Sequence, residues 1–426
     1  MKKMGGLSVF WLIIVFASTI GCDVDSTGSK FKDKNSANQL TFIDSSNGLP
    51  RSSPWRNGLG FYDINDDGYM DIFAPPPRKA PEKYMKPVVW YGSEKGDWTE
   101  SQLNIPSDMD YDYGAIAVSD FDGDDIPDIV LAMHCLGLRF LKGVGEGRYV
   151  NAGGFPSMAE FSPKEVVADD FNNDGILDLA ALSESQFNQK MAPESGVWLL
   201  VNSDNKWKYG PIEGKKGVPG FFGYKIATGD VNGDGNRDIA VASSVTYIDK
   251  IIWLGDGKGG FTLFNEGLPK KRIYYSVALA DVNNDGRDDL IGSVTAMSRK
   301  GFIGLKTFLS GPDGFEDASE GLPVKEWFTA VNACDLDGDG SVEIIGGTGA
   351  GGLKIFSRKG DRWEEMAVSG LPNEGLKQIW NLYCKDMNKD GYKDIVINYG
   401  SHALGTGGIS VFLNGTSKQS KGKRKN

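Results

Sequence analysis

The chain holds only two histidines in 426 residues, His134 and His402, and neither belongs to a nucleophile motif with a Ser or Cys. That leaves little material for His-based acid–base or covalent catalysis. Positive charge is also scarce: 46 Lys and Arg stand against 57 Asp and Glu, a formal net charge of −11, which argues against a nucleic-acid partner. Long helical periodicities are missing. The longest apolar run, Leu7 to Ile20, is fourteen residues, too short for a membrane-spanning helix. Cysteines number four, Cys22, Cys135, Cys334 and Cys384, too few for a disulfide-built scaffold.

What the chain does have is carboxylate at a fixed spacing. The nine-residue pattern D-x-[DN]-x-D-G-x-x-[DE] occurs seven times, once with Asp in place of the Gly, starting at Asp63, Asp120, Asp170, Asp230, Asp281, Asp335 and Asp386. Successive starts are 57, 50, 60, 51, 54 and 51 residues apart, a period that signals a repeat architecture. Oxygen side chains at positions 1, 3, 5 and 9 of a tight loop converge on one point and suit a hard cation, most simply Ca²⁺. The candidate ligands are Asp63, Asn65, Asp67 and Asp71 in the first loop and Asp120, Asp122, Asp124 and Asp128 in the second. The third supplies Asp170, Asn172, Asp174 and Asp178, and the fourth Asp230, Asn232, Asp234 and Asp238. Asp281, Asn283, Asp285 and Asp289 follow, then Asp335, Asp337, Asp339 and Glu343, and last Asp386, Asn388, Asp390 and Asp394. Up to seven ions, one per loop, would offset much of the acidity.

Two loops depart from the pattern. The second has Asp125 where the others have Gly, so a poorer bend is expected there; the sixth ends in Glu343, a longer arm. EF-hands are excluded, because the acid they need at position 12 is replaced by Ala74, Leu131, Ala181, Val241, Gly292, Gly346 and Ile397. The alternative of plain solvated turns also stands, since Asp, Asn and Gly favour turns.

Around each loop the sequence reads as strands. An extended segment precedes it (Ala115–Val118, Val277–Ala280) and an apolar run follows it (Asp128–Ala132, Asp238–Ala242). A third strand has an aromatic or apolar centre (Val88–Tyr91, Ile251–Leu254), and a Gly-rich turn leads to a fourth. Four strands in about fifty residues make one blade of a β-propeller, so the chain is predicted to be all-β, with seven four-stranded blades. Several repeats close on Gly-Leu-Pro (Gly267–Pro269, Gly321–Pro323, Gly370–Pro372), and the same ending stands at Gly48–Pro50, after Leu40–Asp44. The last repeat stops at Ile409–Leu413. The N-terminal segment is therefore expected to supply the outer strand of the seventh blade and close the ring.

Phe222-Gly223-Tyr224-Lys225-Ile226-Ala227-Thr228-Gly229-Asp230, followed by its Asp-rich loop, resembles the FG-GAP/VCBS repeat family, whose best-known relative is the seven-bladed propeller of integrin α-subunits. The resemblance covers residues 38–415 and implies Ca²⁺ in some of the loops, where it rigidifies the blade and does no chemistry.

At the N-terminus, Lys2 and Lys3, the short apolar run and Gly21-Cys22 resemble a bacterial lipoprotein signal over residues 1–21, with Cys22 lipidated, residues 22–37 a polar linker and residues 416–426 a basic disordered tail. The expectation is an exported, membrane-anchored monomer that meets the membrane only through its lipid. Side-chain alternation points Cys334 and Cys384 to opposite faces, so buried free thiols are expected in preference to a disulfide.

Partner contacts are expected on the face opposite the loops, where the linkers vary. The linkers within blades offer Arg78 and Tyr84, Phe187, Tyr247 and His402. Connections between blades add Trp55, Arg56, Tyr113, Tyr274, Trp327 and Trp380. Aromatics with scattered Arg at a concave rim suit an extracellular glycan or a protein, although such aromatics also pack between blades. The leading expectation is a non-catalytic binding or scaffold module; the alternative is a calcium-stabilised polysaccharide-active, lyase-like enzyme using that same face.

Overall fold

A computed structural model describes residues 40–134, 136–152, 162–184, 195–203, 206–212, 223–243, 250–270, 272–296, 302–401 and 404–416. Cys22, Phe187, Tyr247 and His402, with the signal and linker segments, lie outside the described residues. Within them, 28 strands form seven sheets of four antiparallel strands. Six sheets are built from consecutive strands. The seventh has the N-terminal strand Phe42–Asp44 on its outer edge, paired with Thr406–Asn414 in the register Phe42 to Asn414 and Asp44 to Phe412. Ring closure through the N-terminal strand is thus as expected. Among the described residues no helix is long and apolar enough to cross a membrane.

Each second strand is apolar at nearly every position because both its faces are covered. Asp128–Met133 and Asp238–Ser243 are buried throughout. Their side chains alternate between the two neighbouring blades, so the core divides into seven apolar clusters, one at each junction. Val130 and Ala132 meet Leu179 and Trp198 between the second and third blades, while Ile129 and Leu131 turn the other way to meet Phe73 and Val89 of the first. The cluster of Trp55, Trp90, Val396 and Ile409 joins the seventh blade to the first, so no junction is left open.

The Gly-Leu-Pro endings are explained at the outer rim. Gly48, Gly267, Gly321 and Gly370 have φ between +82° and +92°. A Cβ there would lie within about 2 Å of a backbone oxygen on the neighbouring outer strand, of Trp98, Phe315, Trp363 and Phe42 respectively. The residue before each glycine accepts the N–H of that same partner at 2.8–2.9 Å. Only glycine combines the left-handed turn with so close an approach. Phe42 occupies the place that Phe315 and Trp363 hold in other blades, which is a second mark of the closing strand.

The structure overturns one expectation. Cys334 and Cys384 form a disulfide, with their Cα atoms 6.5 Å apart. Side-chain alternation relates residues of one sheet, and these two cysteines belong to two. They lie on successive blades stacked face to face, and the facing surfaces of two such blades are opposite faces of their own sheets. Opposite offsets are therefore what brings the thiols together. In the chain-entropy treatment a bridge spanning 50 residues contributes about 4 kcal/mol. Reduction is expected to lower Tm by roughly 3–5 °C for a domain of this length, read by calorimetry with and without reductant. Alkylation of Cys334 or Cys384 in the native, unreduced protein would show the bridge to be absent.

Candidate functional site

The seven loops share one hydrogen-bond scheme built from their own carboxylates. The position-1 aspartate accepts the N–H of position 6 at 2.8–2.9 Å in every loop, from Gly68 to Asp63 through to Gly391 to Asp386. The position-5 aspartate accepts the N–H of position 7 at 2.7–3.0 Å. Position 6 is left-handed throughout. Asp125 of the second loop adopts φ +64° and still donates to Asp120, so the bend expected to suffer is kept, in a conformation that Asp tolerates better than most residues.

Position 9 does something the spacing alone did not reveal. Asp71, Asp128, Asp178, Asp238, Asp289 and Asp394 are fully buried. One oxygen of each accepts the N–H of loop position 2, at 2.7–3.1 Å. The other accepts an N–H at the end of the third strand, from Gly92, Gly143, Asn202, Gly255, Ser310 and Asn414, at 2.7–2.8 Å. Glu343, with its longer arm, accepts Leu336 N–H at 2.8 Å and makes no second bond of this kind among the described residues. The carboxylate thus ties its loop to the body of the blade before any cation is considered.

The loops differ in how their charge is balanced. In the five with Asn at position 3, its Nδ2 donates to the position-5 carboxylate at 2.9–3.2 Å. In the second loop Asp120, Asp122 and Asp128 bring oxygens within 4.8 Å of one another, but the Lys142 ammonium bonds Asp122 and also Asp124, the latter at 2.9 Å. A lysine already stands at that cation position, and these hydrogen bonds raise its pKa. In the sixth, Asp335, Asp337 and Asp339 converge to the same degree with no ammonium among them, and burial and Asp339 raise the carboxyl pKa of Asp337. Oxygens bound to one calcium ion lie up to about 5 Å apart, so the donors of the sixth loop fit Ca²⁺ and those of the second do not while Lys142 is there.

Without a cation, burial pushes the carboxyls of Asp71, Asp128, Asp178, Asp238 and Asp289 up to about 6, and those of Glu343 and Asp394 up to about 7. The folded state then holds more protons than the unfolded state between pH 4 and 7, so stability falls as pH rises through that window. Thermal melts in chelator are expected to show Tm dropping from pH 5 to pH 7; a rise would show these groups to be ordinary ionised carboxylates.

On the opposite face the first strands of successive blades lie against one another around the ring axis, and their starts form a funnel. It is an open recess of about 400 Å³, counting the solvent in its mouth. Arg56, Lys164, Tyr224, Lys225, Tyr275 and Trp380 are among its walls. Arg56 lies 4.7 Å over the Trp380 ring, whose Nε1 donates to Gly400 O at 3.0 Å. Lys164 pairs with Glu184 at 2.8 Å, and Lys225 lies 3.9 Å from Glu165. Burial pushes each of Lys164, Glu165 and Glu184 toward its neutral form, against the pull of the pairing. Beside them Arg78 lies 5.3 Å over Tyr113, which stacks on His134 at 4.6 Å.

The residues expected on this face divide. Arg56, Arg78, Tyr113, Trp327 and Trp380 are half-buried at it. Trp55, Tyr84 and Tyr274 are packed in the core, Trp55 in edge contact with Tyr84 and Trp90 at 5.2 and 5.5 Å. Lys164, Lys225, Tyr275 and Asn381 were missed. Their signal is positional, because all lie five or six residues before a loop's first aspartate.

Fold and site define a seven-bladed β-propeller with an acidic loop on every blade. An FG-GAP-like repeat model matches residues 170–241, 230–292 and 308–397, half of the sequence, and the chain belongs to that family. No curated protein matches the sequence. Among solved structures, an Agrocybe aegerita lectin that recognises non-reducing terminal N-acetylglucosamine is similar at a TM-score of 0.50 and 14% identity, over 88% of this chain and 93% of that one. BBS1N, crystallised in complex with ARL6DN, is similar at 0.53 and 11%, over 87% and 96%. At these identities the likeness is one of fold.

Proposed function

We propose that the protein is an exported, calcium-binding propeller, lipid-anchored through Cys22 at the cell surface, that binds a glycan or a protein without turning it over. The observation that carries the reading is the division of the ring. One face holds seven near-identical loops occupied with their own backbone; the other holds a recess to which the third to seventh blades bring different side chains. Repetition suits a structural cation, and variation suits recognition. The Cys334–Cys384 bridge supports export, since disulfides persist in oxidising compartments. A lectin and a partner-binding domain sharing the fold support a binding role.

Calcium in this reading is a staple. Chelation is expected to lower Tm and added Ca²⁺ to restore it, because an ion bound only by the folded state adds to its stability. Site affinities should be on the order of 10⁻⁴–10⁻³ M, as for other extracellular modules. Equilibrium dialysis should count one ion fewer than there are loops, with Lys142→Met adding one. A Tm indifferent to chelator would remove calcium from the account.

A lyase-like activity on an acidic polysaccharide is the second reading, and the specific observation in its favour is Lys164, Tyr224 and Arg56 around one recess. Arrays of neutral and acidic glycans and of surface proteins, probed with the calcium-loaded chain, should retain it with no rise in unsaturated-uronide absorbance. Such a rise would exchange the first reading for the second, and retention of nothing would defeat both.

A further inference from the structure

The funnel is shaped by a defect repeated in five blades. Pairing between first and second strands slips by one residue at Lys164, Tyr224, Tyr275, Thr329 and Trp380, each standing six residues before the first aspartate of its loop. In a regular strand, neighbouring side chains point to opposite faces. A bulge leaves one residue unpaired and re-aims it, so two successive side chains can serve the same surface. Tyr224 with Lys225, Tyr275 with Ser276, and Trp380 with Asn381 all line the recess. Bulges at one position in five blades, all turned toward one cavity, are construction and not irregularity.

We propose that this funnel mouth is the binding site for a saccharide bearing a carboxylate, a hexuronate residue, with Arg56 as the group that meets the carboxylate. The inference rests on the binding reading above and gives its ligand a chemical class.

Charge supports the anion. Arg56, Arg78, Lys164 and Lys225 face Asp112, Glu165 and Glu184 in and beside the recess, which leaves one positive charge in excess in a chain of formal charge −11. The excess has an owner. Lys164 and Lys225 each have a carboxylate within 4 Å, whereas Arg56 has none among the described residues, and its Nε is buried without a hydrogen-bond partner. Burial and the nearby Arg78 depress its pKa. A desolvated guanidinium with an idle N–H is costly unless something completes it, and a planar carboxylate matches its donor geometry. One excess charge suits a monoanion and not the several charges of a nucleotide or an oligophosphate.

Shape supports the ring. Tyr224 and Tyr275 stack on each other at 5.7 Å with an interplanar angle of 24°, and Trp380 forms a further wall. Lys164 lies 4.4 Å over the Tyr224 ring and Arg56 over that of Trp380, so these rings meet a ligand beside fixed charges, a mixed apolar and polar wall that suits a pyranose with its apolar C–H face and polar rim.

The polar residues at the rim hold this arrangement in place. Asn381 Nδ2 donates to Arg56 O at 3.1 Å and to Asn398 Oδ1 at 3.1 Å. Thr329 Oγ1 donates to Ile379 O at 2.6 Å. Arg56 is therefore held through its own carbonyl and through the Trp380 ring, so binding need not order it.

The test is calorimetric titration of the calcium-loaded full chain with glucuronate, with glucose as its neutral counterpart and sulfate as a bare oxyanion. Glucuronate is expected to bind at least about tenfold more tightly than glucose. Arg56→Gln should weaken glucuronate about ten- to a hundredfold, the loss expected for one charged hydrogen-bonded contact, while leaving glucose unchanged. If Arg56→Gln shifts the melting temperature, Lys225→Gln takes its place, with a loss of the same sign expected. Equal affinity for glucose, equal competition by sulfate, or unaltered glucuronate binding by the folded variants would each overturn the proposal. If glucuronate fails while an array still retains a neutral glycan or a protein, this inference falls and the binding reading stands; if nothing is retained, both fall.

Discussion

The buried carboxylate that closes each loop is the constraint from which the blades take their form. An unpaired carboxylate buried in a protein costs several kcal/mol, so it must be satisfied by charge or by hydrogen bonds. In six blades it is satisfied twice, once by the loop's second residue and once by the end of the third strand. Those bonds fix three strands and a turn relative to one another with a single side chain. Position 2 can then face inward as an apolar anchor, as Phe121, Phe171 and Leu336 do. In two blades an asparagine beside the same bond reaches the preceding blade: Asn202 donates to Phe121 O at 2.7 Å and Asn414 to Leu336 O at 2.6 Å. The device that builds a blade therefore also helps to join the blades.

Much of this was legible from spacing, because repetition averages out local noise. The seven loops, the strand count and the N-terminal closing strand all follow from offsets that recur, and each matches the structure. Single residues were harder. Trp55 and Trp380 both stand near the start of a first strand and look alike in sequence, yet one is core and the other wall, which depends on blade packing that no linear pattern encodes. The disulfide was misread for a related reason, since alternation describes one sheet and the bond joins two. Lys142 was invisible as the second loop's counter-charge because it arrives from the third strand, eighteen residues beyond Asp124. The funnel left a recoverable trace in the tyrosines, lysines and tryptophan five and six residues ahead of the loops.

The two faces are electrically opposed. Twenty-three carboxylates occupy the loop positions, while the recess on the far side keeps a small positive excess. A ring of such acidity repels anions at long range, although screening confines that to about 10 Å at moderate salt. Recognition of an acidic ligand on the far face is then a short-range matter, decided by a few desolvated groups and not by the field of the whole protein. The acidity and an anion site are compatible because they lie at opposite ends of the strands.

The recess also coincides with the seam of the ring. Arg56 and Asn57 lie between the closing strand and the first blade, and both are held by the seventh: Asn381 Nδ2 reaches Arg56 O, and Asn398 Nδ2 reaches Asn57 O at 2.6 Å. Trp380, the ring under Arg56, is itself on the first strand of the seventh blade. That blade is secured by the strand Phe42–Asp44 on one edge and by Cys384 toward the sixth blade. Any event that loosened the seam would separate Arg56 from Trp380 and Asn381 before it disturbed the interior of a blade. Closure of the ring and integrity of the recess are for that reason one structural condition, and the disulfide that ties the seventh blade to the sixth acts on the site from the far side of the blade.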